Sequence, residues 1–551
     1  MNNIAIRKGL KIGELDAESD SELLASCFVD NGQLQQVLDP HSAKSIIVGR
    51  TGAGKSALLY KLSQSSSHSV LLDPHDISIQ FLEQSDIVQF FENLGVNLDL
   101  FYRVLWRHIL IIELLKMRYE IRTVNESRNI IARVFGWIQR DETKKRSMDY
   151  FVSWADKFWL QAGEQLRELT TKFTNELKAD FGAQFSGVKL SLEGARALDE
   201  EQRIQMRSLA TEVVSKIQMT KLNDVLAILA ENAFTDDQKR YYILIDKLDE
   251  NWANTETRCR FIRALLEETK HFRKIPKVKI VTALRRDLLD LVFDRTRDAG
   301  FQEEKYDAYI VRLLWSRDDI ARLLDMRVRE VYRRQYSSEH VQFSDIFPAP
   351  KKYGGKMALD FIVERTLLRP RDAIQFANEC FNSAADRQKI SWRAMRAAEG
   401  EYSTKRLKSL KEEWYEFYPA LDNLKELLRG VSDAFTRSAL GGKRLEDLCV
   451  EFEDYKGPDQ CAVLASNLYR PGSKVSEGEV ISQIIMCFYH VGLVGVRLSP
   501  TDPWMWSYID QSRITRSEAK RSISLSVHKI FRRSLGIMDN DANVDMLDPT
   551  Y

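Results

Sequence analysis

No run of this sequence is both long and apolar enough to cross a membrane. The greasiest stretch, Ile109-Leu110-Ile111-Ile112, is framed by Arg107, His108 and Glu113 and reads as part of a core helix. The six cysteines (Cys27, Cys259, Cys380, Cys449, Cys461, Cys487) are scattered, with no C-x-x-C pair and no histidine at ligand spacing. That pattern argues against a disulfide framework or a zinc site and points to a reducing, cytoplasmic setting. Residues 1–8 lack the apolar core of a signal peptide. Charge of one sign is also missing: the net charge is +1, so there is no global pull toward nucleic acid or an anionic membrane, and any such binding must come from a local patch.

What is present is core-forming material. With 551 residues, 44% hydrophobic and 29% charged, the chain should fold into about two to four domains rather than remain disordered. Its organising stretch is Gly49-Arg50-Thr51-Gly52-Ala53-Gly54-Lys55-Ser56, a complete G-x-x-x-x-G-K-S phosphate-binding loop. Ser45-Ile46-Ile47-Val48 before it reads as a buried strand, and Ala57-Leu58-Leu59-Tyr60-Lys61-Leu62 after it as a helix. In that context the glycines let backbone N–H groups close around a phosphate, and the helix dipole favours the anion. Lys55 reaches the β- and γ-phosphates and the Ser56 hydroxyl is a magnesium ligand, so the cofactors implied are ATP and Mg2+.

Val70-Leu71-Leu72-Asp73 reads as a second strand. From about 77 to 237 the pattern changes to long helices, an insertion larger than a minimal nucleotide fold needs. Phe101, Leu105, Ile109, Ile112 and Leu115 trace one apolar face; Phe151, Ala155, Phe158, Ala162, Leu166, Leu169 and Phe173 trace another. Trp154, Phe158 and Trp159 fit the core of a bundle better than a ligand box, and Phe185, Val188, Leu190 and Leu192 hint at a hairpin. The nucleotide fold then returns in Tyr241-Tyr242-Ile243-Leu244-Ile245-Asp246, an apolar strand ending in an acid and followed by Asp249 and Glu250. Asp246 is assigned to the metal and Glu250 to the attacking water, with Asp249 as its partner. Lys277 to Asp287 is a further strand whose end offers Thr282 and Arg285 to the γ-phosphate or its water; the alternative is that Arg285 or Arg286 only pairs with Asp287 or Asp290.

The order expected is an N-terminal helical lead (1–40) packed on an α/β P-loop core (41–306), a helical lid (307–399), and a C-terminal helical and winged-helix-like domain (400–551). Ile310, Leu313, Leu314, Ile320, Leu323, Leu324 and Val328 recur at helix spacing. Leu368-Arg369-Pro370-Arg371 places proline at a helix start with an arginine on each side. Near the end, helix, strand, aromatic loop and strand carry Arg513, Arg516, Lys520, Arg521, Lys529, Arg532 and Arg533. This basic face would suit phosphates or a protein contact.

These pieces resemble a family of bacterial P-loop ATPases related to the STAND and AAA+ groups, with NACHT-like and origin-recognition-like members. The resemblance is carried by residues 49–56, 243–250, 282–285, 313–316 and 369–371, and by 105–108 and 157–159 in the insertion. It implies ATP hydrolysis, metal and water roles for Asp246 and Glu250, a sensor role for Arg285 and a second-sensor role for Arg371. It also implies service in signalling or antiphage defence; the partners expected are a homo-oligomer, an effector protein or, through the basic end, nucleic acid. Lys247 departs from it, since NACHT-like sequences usually carry glycine there. Two rivals stay open: a nucleic-acid-dependent motor or loader using the basic end, and a scaffold with structural ATP.

Overall fold

The computed structural model describes residues 5–74, 77, 86–138, 148–154, 156–158, 160–182, 192–216, 219–250, 254–297, 302–335, 341–350, 357–510 and 513–537. Ala155, Trp159, the side chain of Phe173 and residues 185–190 fall outside that description. The chain forms two compact units, each with its own apolar core. A sheet unit comprises Asp30–Arg50 and Gly54–Leu313; a helical unit comprises Met1–Val29, Thr51–Ala53 and Leu314–Tyr551.

The sheet unit is built on five parallel strands: β1 (Ile46–Gly49), β2 (Ser69–Leu72), β3 (Tyr241–Ile245), β4 (Val278–Arg285) and β5 (Ile310–Arg312), in the order β2-β3-β4-β1-β5. β3 is apolar and buried at every residue, as a strand covered on both faces must be. β5 differs from the helix expected at Ile310. Its backbone pairs with β1, and helical spacing resumes only at the helix Arg317–Gln335, so the core extends to Leu313 instead of 306.

The insertion supplies the layer over one face. Helix Asp99–Tyr119 lies along helix Thr255–Phe272, with Trp106 Nε1 donating to the Phe261 carbonyl at 3.0 Å. Buried Glu268 accepts from Arg107 Nε at 2.6 Å and from Arg103 Nε at 2.8 Å, so the charge is paired where water is excluded. His108 is also buried: Gln165 and the Tyr150 hydroxyl sit 3.1 Å from its ring nitrogens, and burial pulls its pKa down to about 4. Trp154 packs 4.1 Å from the same ring, and both it and Phe158 are core residues. Leu192 opens the short helix Leu192–Arg196 and not a strand.

Residues 5–29 are built into the helical unit, which departs from a lead packed on the nucleotide core. Ile6, Leu10 and Ile12 are buried, Asn378 exchanges hydrogen bonds with Ile12 and Gly13 at 2.9 Å, and buried Arg327 pairs with Asp20 at 2.5 Å. Of the expected lead, residues 30–40, with the helix Gln33–Leu38, belong to the sheet unit. Helix Trp392–Trp414 runs unbroken through residues 399 and 400. The C-terminal module is winged-helix-like: β6 (Ala434–Phe435), β7 (Val494–Arg497) and β8 (Ser524–Val527) form an antiparallel sheet in the order β6-β8-β7, beside the helix Glu477–Val491.

Candidate functional site

Parallel strands put their carboxyl ends on one edge, and that edge of the sheet unit carries most of the residues singled out in the sequence. β1 ends at Gly49, level with Arg285 at the end of β4, and Asp246 directly follows the last residue of β3. Lys55 and Ser56 open the helix Lys55–Gln64, so their backbone lies at its positive end. Thr282 is level with Ile46 and Ile245 and fully buried, so it does not emerge at the strand tip as expected; Arg285 does.

Lys55 is buried, with Nζ 3.4 Å from the Arg50 carbonyl. Burial lowers its pKa, against which Asp249 and then Asp246 act to keep the ammonium charged. Asp246 is buried as well. Burial raises its pKa, while the Ser56 hydroxyl and the Lys247 N–H, at 2.9 Å, hydrogen-bond the carboxylate. A hydroxyl beside a carboxylate is a hard-oxygen pair suited to magnesium. Magnesium is held through one or two protein oxygens and keeps waters and phosphate oxygens for the rest of its shell. The residues present therefore fit both a nucleotide phosphate chain and Mg2+.

Lys247 adopts φ +57°, the left-handed conformation that glycine supplies most easily, so lysine has not relaxed this turn. Its ammonium lies 3.3 Å from Asp73. The turn closes with the Glu250 N–H on the Lys247 carbonyl at 3.1 Å. It leaves Glu250 exposed and Asp249 partly buried, with Oδ2 3.9 Å from Arg285 Nε. Arg285 is held by Asp287 through both ends of its guanidinium, Nε at 3.1 Å and Nη2 on the second oxygen. Arg285 thus stands at the strand tip and is paired there with Asp287.

In the helical unit, Thr51–Ala53 meet the segment around Pro370. Arg369 Nη1 donates to the Thr51 carbonyl at 3.0 Å, and the Arg371 N–H to the Gly52 carbonyl at 3.4 Å. The Arg371 side chain lies over Gly52 and its Nε donates to Leu15 O at 3.1 Å. Arg369 is buried in a four-charge cluster that sequence reasoning missed. Its Nε donates to Asp372 at 3.0 Å and Nη1 to Glu413 at 2.9 Å, while Arg406 lies 3.2 Å from Asp372. The proline that starts the helix signalled Arg369, but nothing local announces Arg406 or Glu413, which lie about two turns apart on another helix.

Burial pushes the Asp372 carboxyl up, but Arg369 and Arg406 outweigh it and hold the pKa at about 2, below the ordinary 3.8. Because the folded-state value is the lower one, this stabilisation is complete above 3.8 and is lost as pH falls toward 2. Asp372→Asn strips one carboxylate from two buried arginines and should cost about 3–5 kcal/mol in denaturant unfolding. The gap between variant and parent should narrow as pH drops through that window; a variant as stable as the parent at neutral pH would remove the cluster's structural importance.

Of the basic carboxyl-terminal residues, Arg513, Arg516, Lys520, Arg521 and Arg533 are exposed. Lys529 pairs with Glu364 at 2.7 Å. Arg532 turns inward, donating to the Val527 carbonyl at 2.9 Å and to Ser526 at 3.2 Å, so it anchors the module instead of tracking a phosphate backbone. Helix Glu477–Val491 bears no lysine or arginine and has Glu477 and Glu479 in its first turn.

Comparison with known proteins adds four matches. The family described as FunZ-associated C-terminal helical domain matches residues 318–411. A protein of Escherichia coli (strain K12), described as a transposon gamma-delta 80.3 kDa protein, is 20% identical over 550 residues, 97% of this chain and 68% of its own length. Among solved structures, Cdc6p from Pyrobaculum aerophilum is 12% identical with a TM-score of 0.28, covering 94% of this chain and 99% of its own. The Walker-type ATPase PABY2304 of Pyrococcus abyssi is 14% identical with a TM-score of 0.30, covering 87% and 98%. The chain is therefore an α/β protein with a parallel sheet, a phosphate-loop motif at the sheet's carboxyl edge, and a stretch that matches a known C-terminal helical domain.

Proposed function

We propose that this protein binds and hydrolyses ATP with Mg2+, and that its nucleotide state gates a conformational or assembly change. The observation that carries the reading is the convergence of Lys55, Ser56, Asp246, Asp249 and Arg285 at the carboxyl edge of a sheet ordered β2-β3-β4-β1-β5. In it Lys55 binds the phosphates, Ser56 and Asp246 hold the metal ion, and the acids after β3 orient water. When bound, the magnesium ion offsets the charge that builds on the phosphates. Arg285 is the cation at the strand tip available to the γ-phosphate once Asp287 releases it. The gating part of the reading rests on the family resemblance, which implies a second-sensor role for Arg371. The primary test is phosphate release from Mg-ATP by the purified chain; none, with nucleotide binding retained, would favour a structural ATP. Defence against phage and mobile DNA rests on the family resemblance, and plaque counts on hosts with and without the protein test it.

The exposed Arg513, Arg516, Lys520, Arg521 and Arg533 favour a second reading, a nucleic-acid-dependent ATPase. If they track a phosphate backbone, Arg521→Ala with Arg533→Ala should weaken DNA or RNA binding and lower the salt slope by roughly 0.9 for each phosphate no longer neutralised. Absence of binding at low salt would assign this face to protein association.

A further inference from the structure

Resting on the nucleotide reading above, we propose that Trp315 and Arg369 are positioning residues that hold the tip of the phosphate loop open for the phosphate chain. Three consecutive carbonyls of the tip each accept a hydrogen bond from the helical unit. Arg369 Nη1 donates to Thr51 O at 3.0 Å, the Arg371 N–H to Gly52 O at 3.4 Å, and Trp315 Nε1 to Ala53 O at 2.8 Å. A trans peptide points its N–H opposite to its C=O. Pinning these carbonyls therefore turns the next N–H along the chain, those of Gly52, Ala53 and Gly54, to the other side of the loop. Among the described residues none of these three N–H groups donates a hydrogen bond. Consecutive unpaired amides facing one way form an anion-binding concavity.

The donors are themselves fixed. Arg369 is clamped by Asp372 and Glu413, which leaves its guanidinium little freedom to follow a moving loop. Leu368 holds φ +50°, and Pro370 in the first turn brings no N–H, so the Arg371 amide is an early orphan donor of this helix and Gly52 O satisfies it. Gly52 sits so close that a Cβ there would meet Arg371 Cβ at 2.9 Å, and its φ of +76° disfavours any side chain independently. The loop tip is thus packed against its donors, in a shape that glycine alone permits.

Trp315→Phe removes the indole N–H while keeping an aromatic ring in its place. Titration calorimetry with Mg-ADP, inorganic pyrophosphate and adenosine, alongside melting without nucleotide, reads the result. The dissociation constants for ADP and pyrophosphate should rise roughly three- to tenfold, the worth of one hydrogen bond, while adenosine binding and the melting temperature stay at parental values. Arg369→Lys, which keeps the positive charge for Asp372 and Glu413 but shortens the reach to Thr51, should show the same phosphate-selective loss. Parental ADP affinity in both folded variants overturns the inference, as does equal weakening of adenosine and ADP. If the unmodified protein binds neither ADP nor pyrophosphate, the nucleotide reading itself falls instead.

Discussion

Lys55→Ala is expected to lower ATP turnover by roughly 10²- to 10³-fold, the usual cost of deleting one group that meets developing charge in a water-poor site. The side chain is buried with Asp249 and Asp246 as its principal acidic neighbours, and its ammonium rests 3.4 Å from the Arg50 carbonyl of the same loop. Phosphates arriving there would find a cation already desolvated and oriented. The substitution removes none of the strand pairing that makes the sheet, so the folded chain should persist and thermal melting should confirm it. Phosphate release and fluorescent-nucleotide titration measure the effects on turnover and on binding separately. Hydrolysis at the parental rate by the folded variant would reject the site.

The second large effect separates the two acids that follow β3. Asp249 is partly buried and 3.9 Å from Arg285, while Glu250 is exposed with its N–H closing the turn on Lys247. If Asp249 orients the attacking water, Asp249→Asn should retain ATP binding yet slow hydrolysis by roughly 10²- to 10⁴-fold, with Glu250→Gln much milder. The reverse ranking would restore Glu250 to the role that its place in the motif suggests. Whichever variant binds ATP without turning it over also tests the gate. Mass photometry and small-angle scattering with ATP, with ADP and without nucleotide should differ, because a ligand moves an equilibrium only by its differential affinity for the two states. Identical mass and shape in all three conditions would leave ATP hydrolysis without a switch.

The phosphate loop, the strand before it and the acid-tipped strand at Asp246 were legible in the residues because each is local. Loop glycines, a lysine and hydroxyl at a helix start, and an apolar run of strand length each follow from short-range backbone and side-chain preferences. The long apolar faces of the insertion were legible for the same reason, and Phe101, Leu105, Ile109, Ile112 and Leu115 are all buried. β5 was not, because three residues paired to β1 carry too short a pattern to distinguish from the helix that follows. Nor was the placement of residues 5–29, where scattered apolar positions are buried by partners hundreds of residues away, such as Asn378 and Arg327.

By itself, then, the sequence determined a phosphate-binding motif and the strands that could present it, since those depend on neighbours within a few positions along the chain. Only the tertiary structure decided that Asp249 approaches Arg285 while Glu250 faces solvent, that Arg532 points inward, and that Arg369, Asp372, Arg406 and Glu413 share one buried cluster. The physical reason is that each of these outcomes turns on burial and on pairing between distant segments. A charge is exposed or paired according to what folds over it, and no local preference records what that will be.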